Sequence, residues 1–325
     1  MTATRHRRRT LLVAAALLFI ATLPALATGT VELPPTRTVT DALDRSVEIP
    51  LDPQRIVAAG RAVLMIADAL YMFPDASERV VGVGRIDQGK GNFLAAIDPD
   101  YEEKAVLERN VGPEQIAALT PDLVILKSFM RERLGEGIER LGIPVVYVDL
   151  ETPAQYRRDL RLLGEVLGQP ARGRELAAYY DRRSASIERA VDAALEAGAR
   201  RPRTLFLYAD LAGGERVFNV PPAGWIQTTL VELAGGEPVW TDSVTGGGWS
   251  RVGLEQIAVW NPELVTLVAY RQDATAVRDA LLANPAAREL AAVAGDALHL
   301  VPLDFYSWDQ PDVRWILGLA WLADT

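Results

Sequence analysis

The chain carries a diverged internal repeat, and this repeat limits the possible fold more than any other feature. Residues 111–117 read VGPEQIA and residues 252–258 read VGLEQIA. Both copies continue to a proline, an acid and Leu-Val, at a constant offset of 141 residues. Each copy indicates a short helix opened by a glycine turn, then a proline turn and a buried strand. We interpret the repeat as two related lobes, although strand-turn-helix units look alike in many α/β proteins.

Apolar runs and helical patterns alternate on both sides of each copy. We expect buried strands at Arg55–Ala59, Leu123–Leu126 and Val145–Val148 in one lobe, and at Thr204–Tyr208, Leu264–Val268 and Leu298–Val301 in the other. We expect helices at Ala62–Leu70, Arg131–Leu141, Trp225–Ala234 and Ala276–Leu282. Strands that alternate with helices indicate parallel sheets. The predicted fold class is therefore α/β, with two Rossmann-like lobes that contain parallel sheets.

A long helical pattern from Pro170 to Gly198 lies between the lobes. Proline suits the first helical turn and glycine suits a C-cap. One apolar stripe runs through it at Leu176, Tyr180, Ile187, Val191 and Leu195. A single helix of this length would measure about 40 Å and act as a stiff spine between the lobes, with little closure on binding. The alternative is two helices broken near residues 184–186.

The N-terminal residues have the layout of a cleaved export signal. Four arginines at positions 5 and 7–9 precede an apolar run at 11–23, which is too short to span a bilayer comfortably, and Ala25-Leu26-Ala27 follows. We expect cleavage after Ala27; an uncleaved anchor is the alternative. The predicted organisation is signal peptide 1–27, linker 28–37, N-terminal lobe 38–169, connecting helix 170–198 and C-terminal lobe 199–325.

Composition excludes several kinds of chemistry. The chain has no cysteine, so disulfides, thiolate catalysis and cysteine-bound metal are excluded. Of the two histidines, His6 lies in the predicted signal, and His299 alternates with apolar neighbours as a strand residue would. A hydrolytic triad would need His299, and no pair of carboxylates stands out, so we expect no enzyme and no metal held directly by side chains. With 43 acidic and 34 basic residues, we expect no nucleic-acid partner.

Residues that directly follow parallel strands line the crevice at the carboxyl edge of a sheet. By this rule Arg61, Arg85, Lys127 and Ser128 form one wall of a ligand cleft. The other wall contains Tyr208, Trp249, Tyr270, Arg271, Tyr306 and Trp308. Cations and planar rings suit a large anionic ligand or a metal chelate, through charge-assisted hydrogen bonds and stacking. The alternative is that these residues are solvated charges and core rings.

The sequence also resembles a known family. The resemblance is strongest at the start, in residues 39–50 (VTDALDRSVEIP) and 53–57 (PQRIV). Further matching segments are the two Pro-acid-Leu-Val units, the Leu-Gly pairs at 163–168, LAGG at 233–236, and residues 314–322. Over residues 38–322 the chain resembles the iron-siderophore and vitamin B12 class of periplasmic binding proteins. These are the helix-linked (class III) substrate-binding components of ABC importers. The resemblance implies a periplasmic location and a permease dimer as partner.

The resemblance also implies residue roles. Glu114 and Glu255, one in each repeat, correspond to surface acids that dock on arginines of the permease, and an acid repeated in two lobes suits a twofold partner. Acids in a first helical turn also favour the helix dipole, which is the alternative. Trp249 matches a tryptophan that lies beside the ligand in the B12-binding member, and Lys127-Ser128 occupies the corresponding loop of the other lobe.

The sequence leaves the identity of the ligand open. Members of this class bind ferric siderophores, haem, corrinoids or oxyanions such as molybdate. We expect no intrinsic cofactor and a ferric siderophore or another metal chelate as the bound ligand. Molybdate or tungstate is the second candidate, a corrinoid the third, and haem held through tyrosine the fourth. A sensor that feeds a membrane receptor without transport is an alternative function.

Overall fold

The computed structural model describes residues 35–86, 89–212 and 215–325. The predicted signal peptide and residues 28–34 of the predicted linker lie outside this range. Residues Pro35–Thr325 make up one unit by their internal contacts, and the lobe boundaries within it remain predictions. In the described ranges, no helix combines the length and apolar character that a membrane crossing needs.

A five-stranded parallel sheet forms the centre of the N-terminal lobe. A hairpin of β1 (Thr36–Thr40) and β2 (Ser46–Pro50) precedes it. The sheet contains β3 (Ile56–Ala58), β4 (Val80–Gly84), β5 (Ala105–Leu107), β6 (Leu123–Lys127) and β7 (Val145–Val148). Their spatial order is β5-β4-β3-β6-β7, and every pair is parallel. The N-terminal lobe is therefore the predicted kind of parallel α/β unit.

Helices cover both faces of this sheet. They are α1 (Val63–Leu70), α2 (Ala76–Arg79), α3 (Phe93–Ile97), α4 (Pro113–Ala117), α5 (Glu136–Glu139) and α6 (Pro153–Val166), with short 3-10 turns at Tyr101–Glu103 and Ser128–Met130 and a π-turn at Arg131–Gly135. Along β6, Leu123 and Ile125 join one apolar cluster while Val124 and Leu126 join another. The strand is apolar from Leu123 to Leu126 because both of its faces are buried.

One helix, α7 (Pro170–Glu196), connects the lobes without a break. Its start lies against α6 at a close glycine crossing, since a Cβ on Gly173 would come within 2.6 Å of the Leu160 carbonyl oxygen. Further along, the ring of Tyr180 stacks on Trp315 at 5.3 Å, and its hydroxyl donates to the Val313 carbonyl. The helix is thus fixed to both lobes, as a spine requires.

The sheet of the C-terminal lobe is mixed. It contains β8 (Arg203–Ala212), β9 (Glu215–Val220), β10 (Glu237–Pro238), β11 (Ser250–Val252), β12 (Leu264–Val268) and β13 (Leu298–Leu300). Strand β12 pairs parallel with β8, and β13 pairs parallel with β12, as predicted. The two-residue β10, which the sequence analysis did not predict, also pairs parallel with β8. Strands β9 and β11 are antiparallel additions, because β8 runs past its predicted end at Tyr208 and the chain turns back along it.

The remaining helices pack around this second sheet. They are α8 (Ile226–Leu233), α9 (Leu254–Trp260), α10 (Ala274–Ala283), α11 (Pro285–Arg288), α12 (Ala291–Ala294) and α13 (Trp315–Asp324), with a 3-10 turn at Thr241–Ser243. A buried ion pair joins the lobes, since Arg314 Nη1 lies 2.7 Å from Asp68 Oδ2 of α1. The same guanidinium reaches Asp304 and Asp312. This contact sets the spacing of the two lobes behind the cleft.

Candidate functional site

A cavity of about 530 Å³ lies between the lobes. Its walls are formed by the segments that follow β3 and β4 on one side and β8 and β12 on the other. Carboxyl ends of parallel strands are the usual place for ligands in open α/β sheets. The volume falls within the range of small-molecule sites, about 300–1,000 Å³.

On the N-terminal wall, a tight turn brings the start of α1 to the cavity. Gly60 has φ +84° and Ala62 has φ +56°, and residues 60–65 all line the cavity. A left-handed alanine costs about 1 kcal/mol, and such strain tends to occur at functional sites. No side chain caps the first turn of α1, where Ala62 takes the N-cap position. The uncapped N–H groups of a helix N-terminus form a favourable place for an anion.

Four arginines line the cavity. Arg61, Arg109 and Arg271 are exposed and form no ion pair with any residue that the structure describes. Arg85 is also at the cavity, and its Nη2 lies 2.6 Å from Glu108 Oε1. Two acids, Glu151 and Asp210, complete the charged groups in the lining. The cavity therefore carries an excess of positive charge.

On the C-terminal wall, aromatic rings form a connected cluster. Tyr208 lies 5.0 Å from Trp249 and 4.8 Å from Tyr270, measured between ring centroids. Trp225 meets Trp249 edge-on at 5.6 Å. All four rings line the cavity. Rings packed on one another keep their orientation, so this wall offers a fixed surface for stacking.

Buried polar groups hold this wall in place. The carboxylate of Asp309 is 1% exposed and accepts hydrogen bonds from Ser307 Oγ, from Tyr270 OH at 2.5 Å and from Gln227 Nε2 at 3.2 Å. Burial raises the pKa of Tyr270 well above its usual value, and Asp309 adds to the shift. Burial and a hydrogen bond with Asp210 likewise raise the pKa of Tyr208. Both tyrosines are therefore neutral hydroxyls at physiological pH, not phenolates.

Six of the ten predicted ligand residues line the cavity. They are Arg61, Arg85, Tyr208, Trp249, Tyr270 and Arg271. Two of the four others follow β6. Lys127 is fully buried, where its ammonium pairs with Glu151 Oε1 at 2.6 Å and donates to the Asp149 carbonyl. Ser128 donates to the carboxylate of Asp149. Both side chains turn toward the end of β7, and neither residue belongs to the lining of this cavity.

Tyr306 and Trp308 also lie away from this cavity. Tyr306 is fully buried where the lobes meet, and its hydroxyl accepts a hydrogen bond from the Phe93 amide. Trp308 is partly buried, and its ring nitrogen donates to Asp304. The segment after β13 folds back on α13 and on the N-terminal lobe, so its rings serve packing between lobes.

Sequence reasoning missed other lining residues, among them Arg109, Glu151, Asp210, Trp225 and Gln227. Arg109 follows β5, so the rule for carboxyl ends would have found it had that short strand been recognised. Trp225 and Gln227 enter from the start of α8, beyond the antiparallel β9, where the rule does not apply. The side-chain carbonyl oxygen of Gln227 is buried without a hydrogen-bond partner in the described residues.

The two repeat glutamates occupy equivalent surface positions. Glu114 is the second residue of α4 and Glu255 the second residue of α9, and both are exposed. His299 lies on β13, in the strand that the sequence predicts. Over the described ranges, no group of three or more histidines and carboxylates is arranged to hold a metal ion.

Comparison with known proteins identifies the family. The family model for periplasmic binding proteins matches residues 56–301. The chain therefore belongs to the periplasmic binding protein family, whose members serve ABC transporters. Its relatives are solute-binding proteins and not enzymes, and they carry their solutes as ligands, not as cofactors.

Three relatives that are named for different ligands illustrate the range of similar proteins. The molybdate-binding protein MolA of Haemophilus influenzae is 26% identical over 88% of this chain and 84% of its own length. Its molybdate-bound structure superposes with a TM-score of 0.67 at 21% identity, covering 89% of this chain and 90% of that one. A vitamin B12-binding protein of Pectobacterium atrosepticum is 24% identical over 63% of this chain and 75% of its own length. The probable siderophore-binding lipoprotein YfiY of Bacillus subtilis is 24% identical over 56% and 52%.

Proposed function

We propose that this protein captures an anionic ferric siderophore in the cleft and delivers it to the permease of an ABC importer. The observation that carries the proposal is the pairing of a cationic wall with an aromatic one. Arg61 and Arg109 of the N-terminal wall are available for charge-assisted hydrogen bonds, and Trp249 lies in a fixed ring cluster on the opposite wall. Arg271 adds a further cation beside those rings.

Cavity size and tyrosine chemistry both favour a chelate. A cavity of about 530 Å³ accommodates an organic ligand and not only a tetrahedral oxyanion. The hydroxyl proton of Tyr270 is donated to Asp309, so this tyrosine does not offer an oxygen anion to iron. Burial and Asp210 raise the pKa of Tyr208, so the second tyrosine of the cavity is a neutral hydroxyl as well. This argues against haem bound through tyrosine.

Titration calorimetry on the mature protein tests the proposal. The probes are the ferric complex of the tris-catecholate enterobactin, sodium molybdate, cyanocobalamin and hemin. We expect the ferric complex to bind most tightly, because its negative charge suits the arginines and its rings suit the stacking wall. Tighter binding of cyanocobalamin or hemin, or no binding of the ferric complex, would overturn the proposal.

Molybdate is a second candidate, favoured by two observations. MolA resembles this chain over most of both lengths, and MolA is a molybdate-binding protein. The uncapped start of α1 beside Arg61 offers backbone N–H groups and a guanidinium to a small oxyanion. In the same calorimetry, molybdate binding with no binding of sulfate and of the ferric complex would put this candidate first.

Docking through the two repeat glutamates is also part of the proposal. Glu114 and Glu255 are exposed at equivalent places in the two lobes, which suits a twofold permease. In cells that depend on this protein, we expect the variant with Glu114→Lys and Glu255→Lys to lose uptake of the ferric complex while its binding stays unchanged. The matched control reverses two other exposed acids, Glu102→Lys and Glu289→Lys. Normal uptake by the first variant would contradict the docking role.

Export completes the proposed function. We expect the mature protein to begin at Thr28, after removal of residues 1–27. Intact mass measurement of the protein from the periplasmic fraction checks this. A mass that still includes the first 27 residues would show that the segment is an anchor.

A further inference from the structure

A second cavity, of about 790 Å³, lies next to the cleft in the C-terminal lobe. Tyr270, Arg271 and Gln310 belong to the lining of both cavities. These residues follow β12 or lie in the segment after β13, so the second cavity continues along the same carboxyl edge of the sheet. The first cavity lies over β8 and β12, and the second over β12 and β13.

The second cavity has an apolar floor and a cationic rim. Val301 and Leu303 at the end of β13 belong to the floor. Lys90 and Arg271 are exposed at the rim, and neither forms an ion pair with any residue in the described ranges. The carboxylate of Asp273 also lies there, but it caps α10 by accepting from the Thr275 amide at 2.9 Å. The rim therefore attracts an anionic group.

The position of Lys90 is fixed by the other lobe. Its amide donates to the Phe305 carbonyl at 2.7 Å. Close by, the ring of Phe93 packs on Phe305 at 5.6 Å. Lys90 thus belongs to a contact between lobes, and this contact fixes its backbone at the second cavity.

We propose that this second cavity, defined by Lys90, Arg271 and Thr275, is a subsite for an anionic arm of the ligand whose metal-bearing head occupies the cleft. Apolar atoms of the arm lie on the floor, and its terminal carboxylate pairs with Lys90 and Arg271. The inference rests on the proposed function, because it assumes an organic chelate. It narrows the substrate class to chelates that carry a carboxylate outside the metal-binding groups.

Two ferric probes with the same iron centre test the subsite. One is ferric enterobactin, whose backbone is cyclic. The other is the ferric complex of its linear hydrolysis product, which carries a free carboxylate arm. By calorimetry we expect wild-type protein to bind the linear complex about tenfold more tightly, which corresponds to ~1.4 kcal/mol.

Three variants test whether the tighter binding of the linear complex arises in the second cavity. Thr275→Trp fills the second cavity and should lower affinity for the linear complex to that for the cyclic one, while the cyclic complex binds unchanged. Ala276→Trp, at the next exposed residue of α10 and outside the cavity lining, is the matched control and should change neither. Lys90→Gln removes only a charge and should cut the preference for the linear complex at least threefold. Its retention of the fold can be checked by circular dichroism.

The outcomes separate this inference from the proposed function. Equal affinity of wild-type protein for the two complexes overturns the subsite and leaves the proposed function standing. Equal weakening of both complexes by Thr275→Trp also overturns the subsite, because the second cavity would then not be specific for the arm. Failure of both complexes to bind wild-type protein overturns the proposed function, and the subsite with it.

Discussion

On the N-terminal wall of the cleft, Arg61 and Arg109 extend into solvent, whereas on the C-terminal wall Tyr208 is only 7% exposed and packs on two other rings. Long charged side chains in water act over a distance and adapt to the ligand. Buried rings held by an acid such as Asp309 keep one shape. The N-terminal wall therefore supplies three of the four cavity arginines, and the C-terminal wall supplies the fixed rings together with Arg271.

Sheet topology explains this division. In the N-terminal lobe, β3, β4 and β5 are parallel neighbours, so three loops that each carry an arginine end at one edge. In the C-terminal lobe, Trp225 lies between the antiparallel β9 and α8, and Trp249 directly precedes the antiparallel β11. The antiparallel strands thus bring two rings to the cleft beside Tyr208 and Tyr270.

The largest expected effect is a loss of stability when the buried ion pair between Arg314 and Asp68 is broken, because this pair joins the two lobes. At neutral pH, Arg314→Met leaves the buried carboxylates of Asp68 and Asp312 without their cation. We expect a loss of about 3–5 kcal/mol in the free energy of unfolding. Guanidinium denaturation measures it, with Arg278→Met as an exposed control that should cost less than about 0.5 kcal/mol. A loss below 1 kcal/mol for Arg314→Met would show that the walls are spaced by other contacts.

The ion pair between Arg314 and Asp68 also predicts that the free energy of unfolding depends on pH. Burial raises the pKa of Asp68 to about 6, against the lowering influence of Arg314, while Asp304 adds to the rise. Burial also raises the pKa of Asp312 well above its usual value. Because the folded state then binds more protons than the unfolded chain between about pH 4 and 6, the contribution of Asp68 to stability falls as pH rises through this window.

Denaturation of wild-type protein and Asp68→Asn across this window measures the effect. We expect the stability difference, wild type minus variant, to decrease by up to about 3 kcal/mol from pH 4 to 6 and then to stay constant. A difference that increases with pH would mean that the pairing with Arg314 outweighs burial.

The fit of the C-terminal wall is tested by Trp249→Ala. We expect the affinity for ferric enterobactin to fall about tenfold to thirtyfold, because a stacking surface is lost and the support of Tyr208 is weakened. Molybdate, which has no ring, should bind within about twofold of wild type in the same calorimetry. A similar loss for both ligands would erase the distinction between the walls.

The salt dependence of ligand affinity tests whether the N-terminal wall attracts the ligand by its charge. We expect the double variant Arg61→Gln and Arg109→Gln to bind ferric enterobactin about tenfold more weakly at 20 mM salt. At 0.5 M salt the difference should shrink to about twofold, since exposed charges are screened. A loss that is independent of salt would mean that these arginines make buried contacts and not long-range ones.

Much of the fold could be predicted from the sequence, because buried parallel strands and the repeat leave strong patterns. Leu123–Lys127 is apolar up to its final lysine, and Leu264–Val268 is apolar except for one threonine. The apolar stripe from Leu176 onward indicates α7. The strand β9 was not predicted. It pairs with the extension of β8 beyond Tyr208, and its place depends on a turn back along the sheet.

The site was predictable only where a side chain follows a strand directly. Arg61 and Tyr270 meet that condition and line the cavity. Lys127 is the last residue of β6, but the Glu151 carboxylate and the Asp149 backbone carbonyl, both after β7, hold its ammonium inward. Sequence spacing carries no information on that choice. Asp309, which orients Tyr270, lies 39 residues away along the chain.

The unbroken helix α7 has a consequence for how the protein occupies the permease. Because the helix is fixed to both lobes, we expect Glu114 and Glu255, the proposed docking residues, to keep the same separation with the cleft full or empty. Empty copies should then occupy the permease as readily as loaded ones. Under this arrangement, uptake follows the fraction of copies that are loaded and not their total number. A cell that overproduces the protein while its solute is scarce would slow its own import.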